Sequence, residues 1–121
     1  MPTHNIVHVE LAAHDPAAAG KFYHELFGWK TEPWQGQEYV MFEAEPGPGG
    51  GFPKVDGKDF KPGDVVVYVA TDDIEASLRK AEQLGGKTLL GRTEIQGMGW
   101  FAFFADPTGN RVGLYTSGPR T

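Results

Sequence analysis

Residues 97–116, GMGWFAFFADPTGNRVGLYT, decide the reading of this chain. Residues 100–105 are an aromatic and apolar run. Asp106-Pro107-Thr108-Gly109-Asn110 follows, and residues 111–115 resume a strand-like alternation. Pro107 pre-sets its own backbone angle, and Gly109 and Asn110 tolerate positive φ, so the segment reads as strand, turn, strand. A weaker copy lies upstream, where Tyr39-Val40-Met41-Phe42 leads through Glu43-Ala44-Glu45-Pro46 into residues 47–52. At an offset of 61, Phe42, Ala44 and Pro46 recur as Phe103, Ala105 and Pro107.

The repeat extends outward from these hairpins. At an offset of 58, Ala12, Asp15, Ala18, Leu26 and Gly28 recur as Ala70, Asp73, Ala76, Leu84 and Gly86. Residues 5–12 read as a strand with Ile6, His8, Glu10 and Ala12 on one face and Val7, Val9 and Leu11 on the other. Asp15 and Pro16 start a helix, Phe22, Tyr23, Leu26 and Phe27 form an apolar stripe expected to face the core, and Gly28 ends it. Residues 29–34 and 38–43 read as short strands. The run PGPGGG at 46–51 is expected to be a loop or a strand edge close to a ligand. A strand at 64–70 precedes a second helix capped by Asp73, with Ile74, Leu78, Ala81 and Leu84 as core contacts. Gly85-Gly86 stops that helix, and residues 87–93 form the next strand. The expectation is one α+β domain over residues 1–121 made of two βαβββ modules, about 4–55 and 64–118, with a linker at about 56–63. The modules would form a curved, cup-shaped mixed sheet with the helices outside.

Composition bounds the function. The chain has 121 residues, 40% of them apolar and 22% charged, which suits a packed domain rather than a disordered one. A net charge of −5 argues against nucleic acid or an anionic membrane as the main partner. The absence of cysteine excludes disulfides, thiolate metal sites and cysteine nucleophiles. No segment has the length and apolarity of a membrane span or a signal sequence, so a cytoplasmic protein is expected.

The pattern resembles the vicinal oxygen chelate superfamily, which includes glyoxalase I, bleomycin-resistance proteins and extradiol dioxygenases. The residues that carry the resemblance are His8-Val9-Glu10-Leu11 with Asp15, Phe22-Tyr23 through Leu26-Phe27-Gly28-Trp29, Asp72-Asp73 through Leu84-Gly85-Gly86, and Asp106-Pro107-Thr108-Gly109-Asn110. The superfamily's enzymes hold a divalent metal in the cup. By that resemblance its four ligand positions fall on His8, Phe52, Val66 and Gly113, with Phe52 uncertain by one residue. Three of these have no donor side chain, so no metal and no other cofactor is expected. The resemblance also implies a homodimer.

His8 and Glu10 lie two apart on one strand face and are the candidate catalytic pair, able in principle to do acid–base work. His8, Glu10, Tyr68, Trp100, Arg111, Gly113 and Tyr115 are the candidate ligand contacts. Trp100 shares a face with Ala102 and Phe104, and Phe101 with Phe103; the sequence leaves open which face lines the cup. His4, His14 and His24 read as surface residues. The reading is a metal-independent binding protein for a small organic molecule, aromatic or cationic. The alternatives are a glyoxalase- or isomerase-like lyase using His8 and Glu10, with or without a rearranged metal site, and a drug- or toxin-sequestering protein.

Overall fold

Asp15 and Asp73 start the two helices as their spacing suggests. Each carboxylate accepts a hydrogen bond from the backbone N–H three residues on, Ala18 at 3.2 Å and Ala76 at 3.0 Å. The computed structural model describes residues 4–34 and 38–117. In chain order the first module contains β1 (Ile6–Leu11), α1 (Pro16–Phe27), β2 (Lys30–Pro33), β3 (Val40–Glu43) and β4 (Gly50–Phe52). The second contains β5 (Val65–Ala70), α2 (Ile74–Gln83), β6 (Lys87–Ile95), β7 (Gly99–Ala105) and β8 (Arg111–Thr116). Over the described residues the protein is thus α+β, with eight strands and βαβββ written twice. Strand pairing is mixed: β1 with β4 and β5 with β8 are parallel, while β2 with β3, β3 with β4, β6 with β7 and β7 with β8 are antiparallel.

The contacts divide the chain into two compact units, residues 8–66 and residues 67–121 with 1–7. Within the described part of the latter, Ala70 N–H donates to the Asn5 carbonyl, and His4 Nδ1 donates to that of Ala70, both at 2.9 Å. The first residues of β1 therefore pack with the second module.

In the unit of residues 8–66 the strand order is β2-β3-β4-β1. The glycine-rich run ends in an interior strand rather than a loop, because β4 is paired on both sides. One face of this sheet packs on α1 through four rings. Tyr23 stacks on Trp29 and Phe52 at 5.2 and 5.5 Å between centroids, Trp29 on Phe42 at 4.5 Å, and Phe42 meets Phe52 at 5.1 Å. Buried aromatic pairs of this kind add about 1 kcal/mol each beyond the area they remove from water. The segment at 56–63 is organised by Asp56, whose Oδ1 accepts from the backbone N–H groups of Lys58, Asp59 and Phe60.

The expected stripe on α1 is only partly inward. Gly20 sits against β3, where an added Cβ would lie 3.1 Å from Val40 Cγ1. At about 100° per residue, Phe22 lies about 160° round the helix from Gly20 and Leu26 about 120°. Phe22 and Leu26 are accordingly 58% and 56% exposed, and Phe27, the last residue of α1, is 60% exposed although it lies only about 20° round from Gly20. Tyr23 and Ala19 are the residues that pack on the core.

In the other unit the strand order is β5-β8-β7-β6. Ile74, Leu78, Ala102 and Leu114 form the buried cluster, with Val69, Trp100 and Phe104 against it. Leu84 is not part of it. Leu84 follows the last turn of α2 and is 71% exposed.

Candidate functional site

The helix-free face of the first module is built by strand parity. Glu10 pairs with Gly51, and Gly51 with Met41, so His8, Glu10, Gly51 and Met41 share the face opposite the aromatic core. Tyr39, two residues before Met41, adds its ring to this face. An ideal Cβ on Gly51 would lie 2.1 Å from Tyr39 Oη, 2.2 Å from Cζ and 2.4 Å from Cε1. Only glycine leaves room for that ring.

The ring's hydroxyl joins His8 to Glu10. Tyr39 Oη donates to Glu10 Oε2 at 2.8 Å, and His8 Nε2 is 2.8 Å from Tyr39 Oη. The hydroxyl has one proton and gives it to Glu10, so His8 Nε2–H is the donor to Tyr39. The chain runs His8 to Tyr39 to Glu10, with His8 Nε2 3.9 Å from Glu10 Oε2. Glu10 is 7% exposed. Burial holds the His8 imidazole below the usual histidine range, so it is neutral at neutral pH, consistent with a single donating Nε2–H.

The second module repeats the register with different chemistry. Tyr68, at an offset of 58 from Glu10, pairs with Gly113 as Glu10 pairs with Gly51. A Cβ on Gly113 would lie 2.3 Å from Tyr68 Cδ2 and 2.6 Å from Cε2. Phe103 pairs with Gly113, Phe101 with Tyr115 and Ala105 with Arg111, which places these residues on the face of Tyr68. Phe103 lies 5.7 Å from the Tyr68 ring and 5.4 Å from Phe101, with the Arg111 guanidinium 5.2 Å from its centroid. Tyr115 Oη donates to the Met98 carbonyl.

Trp100 does not join them, which corrects its placement among the ligand contacts. It pairs with Thr116 on the opposite face, packs with the core under α2 and carries the Arg92 guanidinium 5.5 Å above its ring. The alternation that sequence left open thus resolves to Phe101 and Phe103 on the helix-free face.

The metal-ligand positions implied by resemblance do not fit a metal. Phe52 is fully buried in the four-ring core, on the wrong face. The β1–β4 and β5–β8 registers identify Gly51, not Phe52, as the repeat partner of Gly113. Neither glycine offers a donor, and a tyrosine ring fills the space above each. Val66 is buried and apolar. Among the described residues no three His, Cys, Asp or Glu side chains are grouped to hold a metal ion.

Tyr39 is the site residue missing from the candidate contacts read from the sequence. The usable signal was its shared parity with Met41 together with a glycine at 51. Of the remaining histidines, His24 donates through Nδ1 to the Trp29 carbonyl at 2.8 Å and closes the end of α1, and His14 is exposed.

Residues 8–115 match the family described as a glyoxalase-like domain, and the chain belongs to that family. A relative in Mycobacterium bovis, CFP32, whose name marks it as a candidate glyoxylase, is 31% identical over 122 residues, covering 88% of this chain and 43% of its own length. The anthracycline biosynthesis protein DnrV of Streptomyces peucetius is 28% identical over 135 residues, covering 90% of this chain and 46% of its own. The chain therefore spans less than half the length of these relatives. Among solved structures, a glyoxalase/bleomycin resistance protein/dioxygenase superfamily member from Vibrio splendidus superposes with a TM-score of 0.68 at 15% identity, covering 95% of this chain and all of that one. That likeness establishes the fold.

Proposed function

We propose that this protein binds a small organic molecule without a metal, using the His8–Tyr39–Glu10 chain as its polar anchor. The observation that carries the reading is the glycine at 51 with a tyrosine ring seated on it. At the repeat partner of Gly113, a ligand position by resemblance, the first module presents a phenol hydrogen-bonded to a buried carboxylate and a neutral imidazole. Such a set orients a ligand's hydroxyl, carbonyl or amine by hydrogen bonds alone. The face carrying Tyr68, Phe101, Phe103, Arg111 and Tyr115 supports an aromatic ligand surface in the second module. DnrV's part in anthracycline biosynthesis supports a planar polycyclic ligand. A cysteine-free chain suits a reducing compartment, which supports a cytoplasmic location.

The test is calorimetric titration with planar aromatic and cationic small molecules, with and without a chelator. Mass spectrometry of the recovered ligand accompanies it. Saturable binding that is unchanged by chelator and leaves the ligand intact supports the reading. Binding abolished by chelator overturns it. A second reading, a lyase or isomerase, is favoured by one observation: the buried Glu10 carboxylate is joined through a phenol to an imidazole, which is a path for moving a proton. Conversion of the ligand, lost in Glu10→Gln, would move the assignment to that reading.

A further inference from the structure

Strand register gathers the cations of the second module's helix-free face into one row. Lys87 pairs with Ala105 and Ala105 with Arg111, so the three side chains stand side by side on β6, β7 and β8. The two cations are two strand spacings apart, about 10 Å between Cα atoms, with the small Ala105 between them. Lys87 is exposed and Arg111 half-buried. The next row holds Leu90, Phe103 and Gly113, with the Tyr68 ring on Gly113. The row after it holds Thr93, Phe101 and Tyr115. Arg111 joins the charged row to the rings, since its guanidinium stands over Phe103.

The strands that build this face contribute no acid to it. Glu94 is the one Asp or Glu in β5 to β8, and it pairs with Trp100 on the opposite side. Asp106, next to Ala105 in the chain, serves its own turn. Its Oδ1 accepts from the backbone N–H groups of Thr108, Gly109 and Asn110, and its Oδ2 from Asn110 Nδ2. The chain as a whole has 16 Asp and Glu against 11 Lys and Arg. A face whose strands carry positive charge alone therefore runs against the composition.

We propose that this face takes an aromatic acid, with its ring system on Phe101 and Phe103 and its carboxylate between Arg111 and Lys87. A guanidinium brings five N–H donors in a planar fork that matches a carboxylate, and an ammonium brings three. The row order fits such a molecule: charge at one end, aromatic surface immediately beside it. A cationic ring system would set its charge against Arg111 and Lys87. The inference rests on the reading of this face as an aromatic ligand surface. It narrows that ligand from planar aromatics in general to those carrying a negative charge.

The experiment is calorimetric titration of the full chain with a matched set of probes. These are 2-naphthoate, neutral 2-naphthamide, cationic 2-naphthylmethylammonium, and acetate as the carboxylate without a ring. 2-Naphthoate should bind at least about tenfold more tightly than 2-naphthamide, the scale of a charge-assisted hydrogen bond. That preference should shrink as salt is raised. Arg111→Gln should bring the naphthoate-to-naphthamide ratio close to one. Lys87→Gln should cut it about threefold, the scale of an exposed ion pair. Circular dichroism verifies folding, and because Lys87 is exposed its variant keeps the test open if loss of Arg111 disturbs the packing on Phe103. If 2-naphthamide or the cation binds as tightly as 2-naphthoate, the acid inference is overturned and the aromatic surface stands. Acetate binding as tightly as 2-naphthoate, or a ratio that neither variant moves, also overturns it. No binding of any naphthalene probe would overturn the aromatic reading along with it.

Discussion

Gly51→Ala is the sharpest perturbation of the candidate site. The added methyl would lie 2.1 Å from Tyr39 Oη and 2.2 Å from Cζ, so the ring must move by more than 1 Å to reach ordinary contact. The atoms met are the far end of a side chain, and the swing itself is inexpensive. What it breaks is the pair of 2.8 Å hydrogen bonds that Tyr39 makes to Glu10 and His8. A bond to a carboxylate contributes about 1.5–3 kcal/mol and a neutral one about 1 kcal/mol. Replacing glycine by alanine in a strand returns about 0.5–1 kcal/mol. The net destabilisation is about 1.5–3.5 kcal/mol, or about 6–14 °C in Tm for a domain of this size. Denaturant unfolding of a double-mutant cycle isolates the cause. In a Tyr39→Phe background the hydrogen bonds are already gone, and Gly51→Ala should cost under about 1 kcal/mol. If the substitution is neutral in the wild type, or costs the same in both backgrounds, the hydrogen-bonded chain is not what the glycine protects.

Three further outcomes follow from other parts of the molecule. Gly113→Ala should destabilise more than Gly51→Ala, because the atoms it meets belong to the body of the Tyr68 ring, and Tyr68 is only 7% exposed and has less room to swing; paired thermal melts read this directly. Phe52→Ala should cost about 3–5 kcal/mol by opening the four-ring core, against the small change expected of an unused metal-ligand position; denaturant midpoints decide. Asp106 is held below the usual carboxylate range by the Asn110 side chain first and by the turn's backbone N–H groups with it. A lowered folded-state pKa contributes stability that is present above the unfolded value and lost as pH falls through the folded one. Asp106→Asn should therefore flatten the acid limb of the stability profile below about pH 4, and an unchanged limb in a pH series of melts would contradict it.

Much of the fold was legible because its signals are local. Asp15, Asp73, Gly28 and the Asp106–Asn110 turn act through their own backbone neighbourhoods, and the repeat offset carried each landmark from one module to the other. The departures have tertiary causes. Phe22 and Leu26 follow helical spacing with Tyr23, but the close approach at Gly20 selects which side of α1 faces the sheet. The run at 46–51 contains too much glycine to look like a strand, yet Gly50 and Gly51 are held in one by partners on both sides. At the site, His8 and Glu10 were readable from strand parity. Their link through Tyr39 was not, because it joins residues 29 and 31 apart in sequence through a space that exists only where β4 lacks a side chain.

The central claim, that this member of the glyoxalase-like family works without the metal its fold relatives' pattern implies, is most directly tested by metal analysis. Protein purified without added metal or chelator would be assayed for bound metal, then titrated with zinc, nickel, manganese and magnesium while Tm is followed. The account predicts far less than one metal per chain and no ion-dependent rise in Tm, in wild type and His8→Ala alike. Stoichiometric metal that raises Tm in the wild type and is lost in His8→Ala would contradict it.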